Sequence, residues 1–205
     1  MNFKSDKLKP VVEAVKRSVE LVNEGNPAEA VKASRWAIAE AGKLGVTSAA
    51  IFWHAAVAND YAGNWEDAFE NITRALALDP LAEPYRRSFT IIADRIRAAL
   101  TAEDRAADDP STPRLYDLVL RAGEATAECH AAMARYALAT GDVGKAKAIA
   151  DATALLHPAA AMAWKCKAEV AAKLDDTATV QACAVELAAL GESFPLFAVP
   201  GVAMA

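Results

Sequence analysis

The chain is predicted to be all-α and built from stacked helix pairs, and three observations predict it. Apolar residues make up 54% of the 205 residues, while Gly and Pro number only nine each. Alanine is heavily used, which favours helix because it loses no side-chain entropy there and lets helices approach closely. Third, the turns recur in a fixed layout. β-branched residues, aromatics and Gly/Pro turn clusters are too sparse for an all-β fold.

The recurring turns are Gly25-Asn26-Pro27-Ala28-Glu29-Ala30, Gly63-Asn64-Trp65-Glu66-Asp67-Ala68 and Gly141-Asp142-Val143-Gly144-Lys145-Ala146. Each follows an apolar helical stretch and opens another. Gly supplies the left-handed conformation that ends the first helix, and the Asn, Asp or Glu beside it suits the start of the next. The stops recur as well. Arg74-Ala75-Leu76-Ala77-Leu78-Asp79-Pro80 matches Ala152-Thr153-Ala154-Leu155-Leu156-His157-Pro158, with proline twelve residues after Ala68 or Ala146 in both. Proline ends the second helix because it lacks an amide hydrogen and clashes with the preceding turn.

These residues resemble the tetratricopeptide repeat, a helix-turn-helix unit of about 34 residues with the pattern W-x2-L-G-x2-Y…A-x3-F…P. Ala68, Ile72 and Pro80 fill the last three sites of one unit, and Ala146, Ala150 and Pro158 those of another. The next unit puts Trp164 at the leading aromatic site and Ala168 at the small site. It departs from the pattern at Ala171, where Tyr is usual, at its Asp175-Asp176 turn and at Val180 in place of Ala. The first unit fits through Gly25, Ala30 and Ala37, with Gly42 where Pro is expected.

Ala68 and Ala146 are 78 residues apart, which is two periods and ten residues. A hidden unit with an insertion explains the excess. The polar, acidic segment 101–110 is placed between helices expected over Glu83–Leu100 and Thr112–Gly123, with Tyr116 and Leu120 on the second. The units then run about 7–45, 49–82, 83–126, 127–160 and 161–191, all in a single domain, with a tail at 192–205. The resemblance implies a right-handed superhelical solenoid of about five repeats, because one pair cannot cover its own apolar face. On the first helix that face is read as Leu8, Val11, Val12, Val15, Val19 and Val22. Trp36, Trp53, Trp65 and Trp164 are read as packing residues.

The resemblance further implies a non-catalytic scaffold or adaptor that holds a partner peptide or helix in a concave groove lined by the first helix of each unit. Position by position, that groove presents Val15 and Val19, then Trp53, Val57 and Tyr61, then Arg87, Ile91 and Arg95, then Arg135 and Lys165. An apolar anchor is expected near Trp53, with the arginines meeting acidic groups of the partner. The competing reading is that Val15, Val19 and Trp53 simply pack on neighbouring helices. Val15 and Val19 stand where some family members carry a Lys/Asn clamp for a partner's C-terminal carboxylate, so that clamp is not expected. The second functional reading is a regulatory or recruiting module of a larger enzyme such as a transferase.

Other function classes find little support. The net charge is −5, and the basic start (Lys4, Lys7, Lys9, Lys16, Arg17) reads as a solvated face rather than a nucleic-acid site. No membrane insertion is expected, and charges run through what would have to be a signal peptide's apolar region, so the cytoplasm is the expected compartment. Gly141–Ala146 looks like a phosphate loop, but Ala139 and Ala146 stand where that motif needs Gly and Ser/Thr. Cys129-His130 lacks a companion at ligand spacing, so no metal and no cofactor is expected, and Cys129, Cys166 and Cys183 are read as small buried residues. His54 is read as packing and His157 as a helix-end residue. Asn71-Ile72-Thr73 matches a glycosylation sequon by letter only. The apolar, proline-broken tail Phe194–Gly201 is expected to cover the last helix or to mediate self-association.

Overall fold

The computed structural model describes residues 3–193, and over them it is helical, with no strand among the described residues. The order is α1 (Phe3–Asn23), α2 (Pro27–Lys43), α3 (Ala49–Tyr61), α4 (Trp65–Leu78), α5 (Glu83–Leu100), α6 (Thr112–Ala122), α7 (Ala127–Ala139), α8 (Val143–Leu156), α9 (Ala161–Lys173) and α10 (Thr177–Ala189). The chain divides into two compact units, Met1–Arg95 and Ile96–Ala205, with the division inside α5. The roles expected of the tail, covering and self-association, fall on residues 194–205, which lie outside the described residues.

In the first unit α1 pairs with α2 and α3 with α4 across tight turns, in the tetratricopeptide-like layout. Gly63 has φ of +72°, and this lets the Asn64 amide donate back to the Asn59 carbonyl at 2.9 Å. Such a turn satisfies carbonyls that the helix end leaves open and reverses the chain. Alanines let the helices close on each other: Ala30, Ala37, Ala55, Ala56, Ala58, Ala68 and Ala75 are all fully buried. Ser18 hooks α1 to α2, its hydroxyl donating to the Ala30 carbonyl at 3.0 Å. α4 ends at Leu78, two residues before Pro80.

Two expectations need correction here. The buried stripe of α1 is Val11, Ser18 and Leu21, while Val12 and Val19 are exposed. A helix turns 100° per residue, so Val12 and Val19 cannot share the inward direction of Val11 and Leu21. Trp36 is also exposed, whereas Trp53, Trp65 and Trp164 are half-buried.

In the second unit α7 pairs with α8 and α9 with α10. Ala131, Ala134 and Ala137 of α7, Ala146 and Ala150 of α8, and Cys166 and Val170 of α9 form one core cluster. Asp142 caps α8 by accepting from the Lys145 amide at 3.1 Å, and Asp176 caps α10 by accepting from the Thr179 amide at 3.0 Å. At the α9–α10 turn a non-glycine residue, Asp175, takes the left-handed conformation with φ of +56°. All three cysteines are buried and free.

The segment between α5 and α6 is tied down by Arg105, whose side chain is 13% exposed. Its guanidinium donates to the Ala99 carbonyl at 2.8 Å, to Thr112 Oγ1 at 3.0 Å and to Ser111 Oγ, and it pairs with Asp109. Asp109 in turn accepts from the amide and hydroxyl of Ser111, which hold its carboxyl below the usual range. An arginine fork with several acceptors fixes a loop in a way a lysine would not.

Candidate functional site

Within the first unit, α1 and α3 leave a recess of about 200 Å³ walled by Ser18, Val19, Val22, Asn23, Trp53, His54, Val57 and Tyr61. Its shape follows from the helix period: Trp53, Val57 and Tyr61 are each one turn apart on α3, so they share one face. The indole of Trp53 is held in place, donating from Nε1 to Ser88 Oγ on α5 at 2.8 Å. It also stacks obliquely on His54 at 4.6 Å and on Tyr85 at 5.5 Å between ring centroids. Burial lowers the pKa of His54, since a desolvated imidazole resists protonation. Tyr61, by contrast, is 57% exposed and forms an open rim.

Beside that rim lies a charged pair. Asp60 on α3 has a side chain only 6% exposed and is paired with Arg95 on α5. Its Oδ1 has no hydrogen-bond partner. Desolvation raises the Asp60 pKa, and the Arg95 charge opposes that shift. The Arg95 guanidinium also lies 5.5 Å from the centroid of the Tyr61 ring, a cation–π contact. Ile91 and Arg87, about one and two turns back along α5, are exposed.

Of the predicted residues in this unit, Val19, Trp53, Val57 and Tyr61 therefore surround one recess, with Arg95 at the Tyr61 edge. Val15 does not line it; it packs against the cluster of Val11, Ala37 and Ala41. Val22, which follows Val19 at helical spacing, does line it. The sequence reading missed the contributions of Ser18, Asn23 and His54 to these walls.

The second unit holds the remaining two predicted residues. Arg135 on α7 makes a two-pronged bond to Glu169 on α9, with Nε–Oε2 at 2.9 Å and Nη2–Oε1 at 3.0 Å. Lys165 on α9 pairs with Glu192 at 2.7 Å. Both cations are thus engaged within the chain. A recess of about 430 Å³ adjoins Arg135, walled by Met162, Glu128 and the 101–107 stretch that Arg105 holds. The basic start also pairs locally, Arg17 with Glu20 and Glu24 and Lys16 with Glu13.

Polar chemistry elsewhere is muted by burial. The Cys166 thiol is pushed up to about 12 by desolvation, which keeps it protonated and poorly nucleophilic. Tyr116 Oη and His130 Nδ1 share a hydrogen bond of 2.6 Å, and the His130 ring lies 5.4 Å from that of His157. Burial and the facing His157 both lower the His130 pKa, burial more. Among the described residues no group of three or more His, Cys, Asp or Glu could hold a metal ion. No described helix is long and apolar enough to cross a membrane.

No family model and no curated protein sequence matches the chain. Among solved structures, MamA (residues 41 to the end) from Desulfovibrio magneticus RS-1 aligns over 89% of this chain and 95% of its own, at 14% identity and a TM-score of 0.38. The TPR2AB-domain:pHSP90 complex of yeast Sti1 aligns over 88% of this chain and 79% of its own, at 14% identity and a TM-score of 0.42. A tetratricopeptide repeat protein from Parabacteroides merdae ATCC 43184 covers 91% of this chain and 81% of its own, at 13% identity and a TM-score of 0.35.

Proposed function

We propose that this chain is a non-catalytic scaffold that binds a peptide or helix of another protein, with the partner's apolar anchor entering the recess between α1 and α3. The observation that carries the proposal is the recess itself: about 200 Å³, apolar on most sides, and rimmed by an exposed tyrosine. That volume is below the ~300–1000 Å³ of small-molecule sites and suits one or two inserted side chains. The larger recess beside Arg135 sets the charged Glu103, Arg105, Glu128 and Arg135 among apolar walls that include Leu100, Ala132 and Met162.

Tyr and Trp at a rim and wall are the residue types that dominate binding energy at protein interfaces. Arg87, Ile91 and Arg95 extend the surface along α5, and Arg95, half-exposed while it pairs with Asp60, can meet an acidic group on the partner without releasing Asp60. Arg135 and Lys165 are a second, polar contact region on the other unit, reached by exchange of Glu169 and Glu192 for acidic groups on the partner. Free, buried thiols suit a reducing compartment such as the cytoplasm.

The test is affinity capture from native cells with the full chain and with Tyr61→Ala and Val19→Asp. Both positions are exposed, so both variants keep the fold. Loss of one specific partner in both variants supports the reading. Capture of the same proteins in the same amounts by all three chains sinks it.

A further inference from the structure

α1 carries two apolar stripes, and α2 covers only one of them. Val11, Ser18 and Leu21 are buried, and Ala14 packs on the cluster that Val11 forms with Ala37 and Ala41 of α2. The second stripe is Leu8, Val12, Val15, Val19 and Val22, at spacings of four, three, four and three residues. That alternation keeps the five side chains in one band of the helix surface and is the spacing of a helix–helix seam. Val12 is 48% and Val19 37% exposed, while Leu8, Val15 and Val22 are half-buried. From Leu8 to Val22 the stripe runs about 21 Å. Its far end, Val19 and Val22, is a wall of the recess against α3.

The charges that border this stripe are of one sign. Lys16 lies one turn from both Val12 and Val19, and Lys9 one turn from Val12; both lysines are exposed. Glu13 and Glu20 stand one row further from the stripe, and each is paired with a basic neighbour, Lys16 at 3.5 Å and Arg17 at 3.2 Å. At the recess the opposite border is Trp53, His54 and Val57 of α3, none of them an acid. An occupant of the stripe therefore meets lysine on one side and no charge on the other. A second copy of α1 is a poor occupant. Antiparallel pairing sets Lys9 and Lys16 against the same lysines of the other copy, and parallel pairing sets them against the side of α1 that α2 covers.

We propose that α1 receives an amphipathic helix of a partner protein, whose apolar residues pack on Leu8, Val12, Val15 and Val19 and whose acidic flank faces Lys9 and Lys16. This rests on the recess reading and extends it: the anchor in the recess is the end of a seam about four turns long. Valine suits such a seam, because in a helix its branched side chain already holds one rotamer and loses little freedom when it is covered. The acidic flank gives the docked helix its register and excludes basic helices, since like charges across a seam repel.

Two synthetic helices of about three heptads test this, both with Leu at the seam positions. One carries Glu and the other Lys on both flanks, so neither pairs with itself. The full chain should bind the Glu peptide about tenfold more tightly than the Lys peptide at low salt, and added salt should narrow the difference. Val12→Asp, at an exposed position outside the recess, should weaken the Glu peptide about tenfold or more by setting a charge in the seam. Lys9→Glu/Lys16→Glu should invert the preference, and this variant keeps the test decisive if Val12→Asp disturbs the fold. Equal binding of the two peptides, or none, overturns the proposal. Tighter binding to vesicles of equal parts phosphatidylcholine and phosphatidylserine overturns it and assigns the stripe to a membrane surface. A dimer of the chain that Val12→Asp dissolves overturns it in favour of a second copy. The recess reading fails separately. Native capture that is lost in Tyr61→Ala but unchanged in Val12→Asp keeps the recess and overturns the helix on α1, whereas Glu-peptide binding that needs Val12 and not Tyr61 supports that helix without the recess.

Discussion

Arg95 on α5 reaches back 35 residues to the carboxylate of Asp60 on α3 and at the same time lies over the Tyr61 ring. The pair is lopsided, with Arg95 half-exposed and Asp60 almost wholly enclosed. Removing the arginine strands a buried charge, whereas removing the charge from Asp60 strands nothing comparable. Arg95→Ala should therefore cost about 2 kcal/mol at neutral pH, more than Asp60→Asn. Because the Asp60 pKa is already raised in the folded chain, and rises further without Arg95, protonation relieves the defect. The Arg95→Ala deficit should shrink as pH falls from 7 toward 4. Urea titrations at the two pH values check this, and a deficit indifferent to pH would contradict it.

A second pH dependence has its origin in the histidines. His54 and His130 both have lowered pKa values in the folded chain, so the unfolded chain takes up protons first as pH falls. Stability from these groups is fully present above about 6.5 and is lost as pH falls through their folded values. Around His130 the groups concerned are Tyr116 and His157. His130→Gln should flatten the fall in melting temperature between pH 7.5 and 5, whereas an unchanged slope would clear His130 of the effect.

At the turn before α10, Asp175 holds a conformation that costs a side-chain-bearing residue. Asp175→Gly should stabilise the chain by about 0.5–1 kcal/mol. Gly141→Asp, at the matching turn of the preceding pair, should destabilise it by a similar amount. Denaturant midpoints with constant slopes would show both changes.

Arg105 holds the 101–111 segment through several acceptors at once. Arg105→Ala should cost about 2 kcal/mol and open this segment to proteinase K ahead of the rest of the chain. Cleavage at the same sites and rate in both chains would mean that the segment is held by something else.

Much of the fold was legible because small residues and turn chemistry recur at fixed offsets. Pro80 and Pro158 marked the ends of α4 and α8, and the excess of ten residues led to helices ending at Leu100 and restarting at Thr112, as observed. α1 was misread because valine occupies positions 11, 12, 15, 19 and 22, so apolarity alone could not single out one face. Ser18 and Leu21, at helical spacing from Val11, were the better guides. At the candidate site, the face of Trp53, Val57 and Tyr61 followed from helix periodicity. The internal engagement of the cations did not, although a signal existed. Asp60 with Arg95, and Arg135 with Glu169, are opposite charges one repeat apart. Sequence distance hides such neighbours until the stacking brings successive first helices side by side.

The placement of the thiols has a practical consequence. Cys129, Cys166 and Cys183 are the chain's only cysteines, each is fully buried, and all three belong to the unit Ile96–Ala205. An alkylating reagent is therefore a stopwatch for the opening of that unit alone. Mass spectra recorded over time would show whether α7, α9 and α10 release their sulfurs together or one at a time.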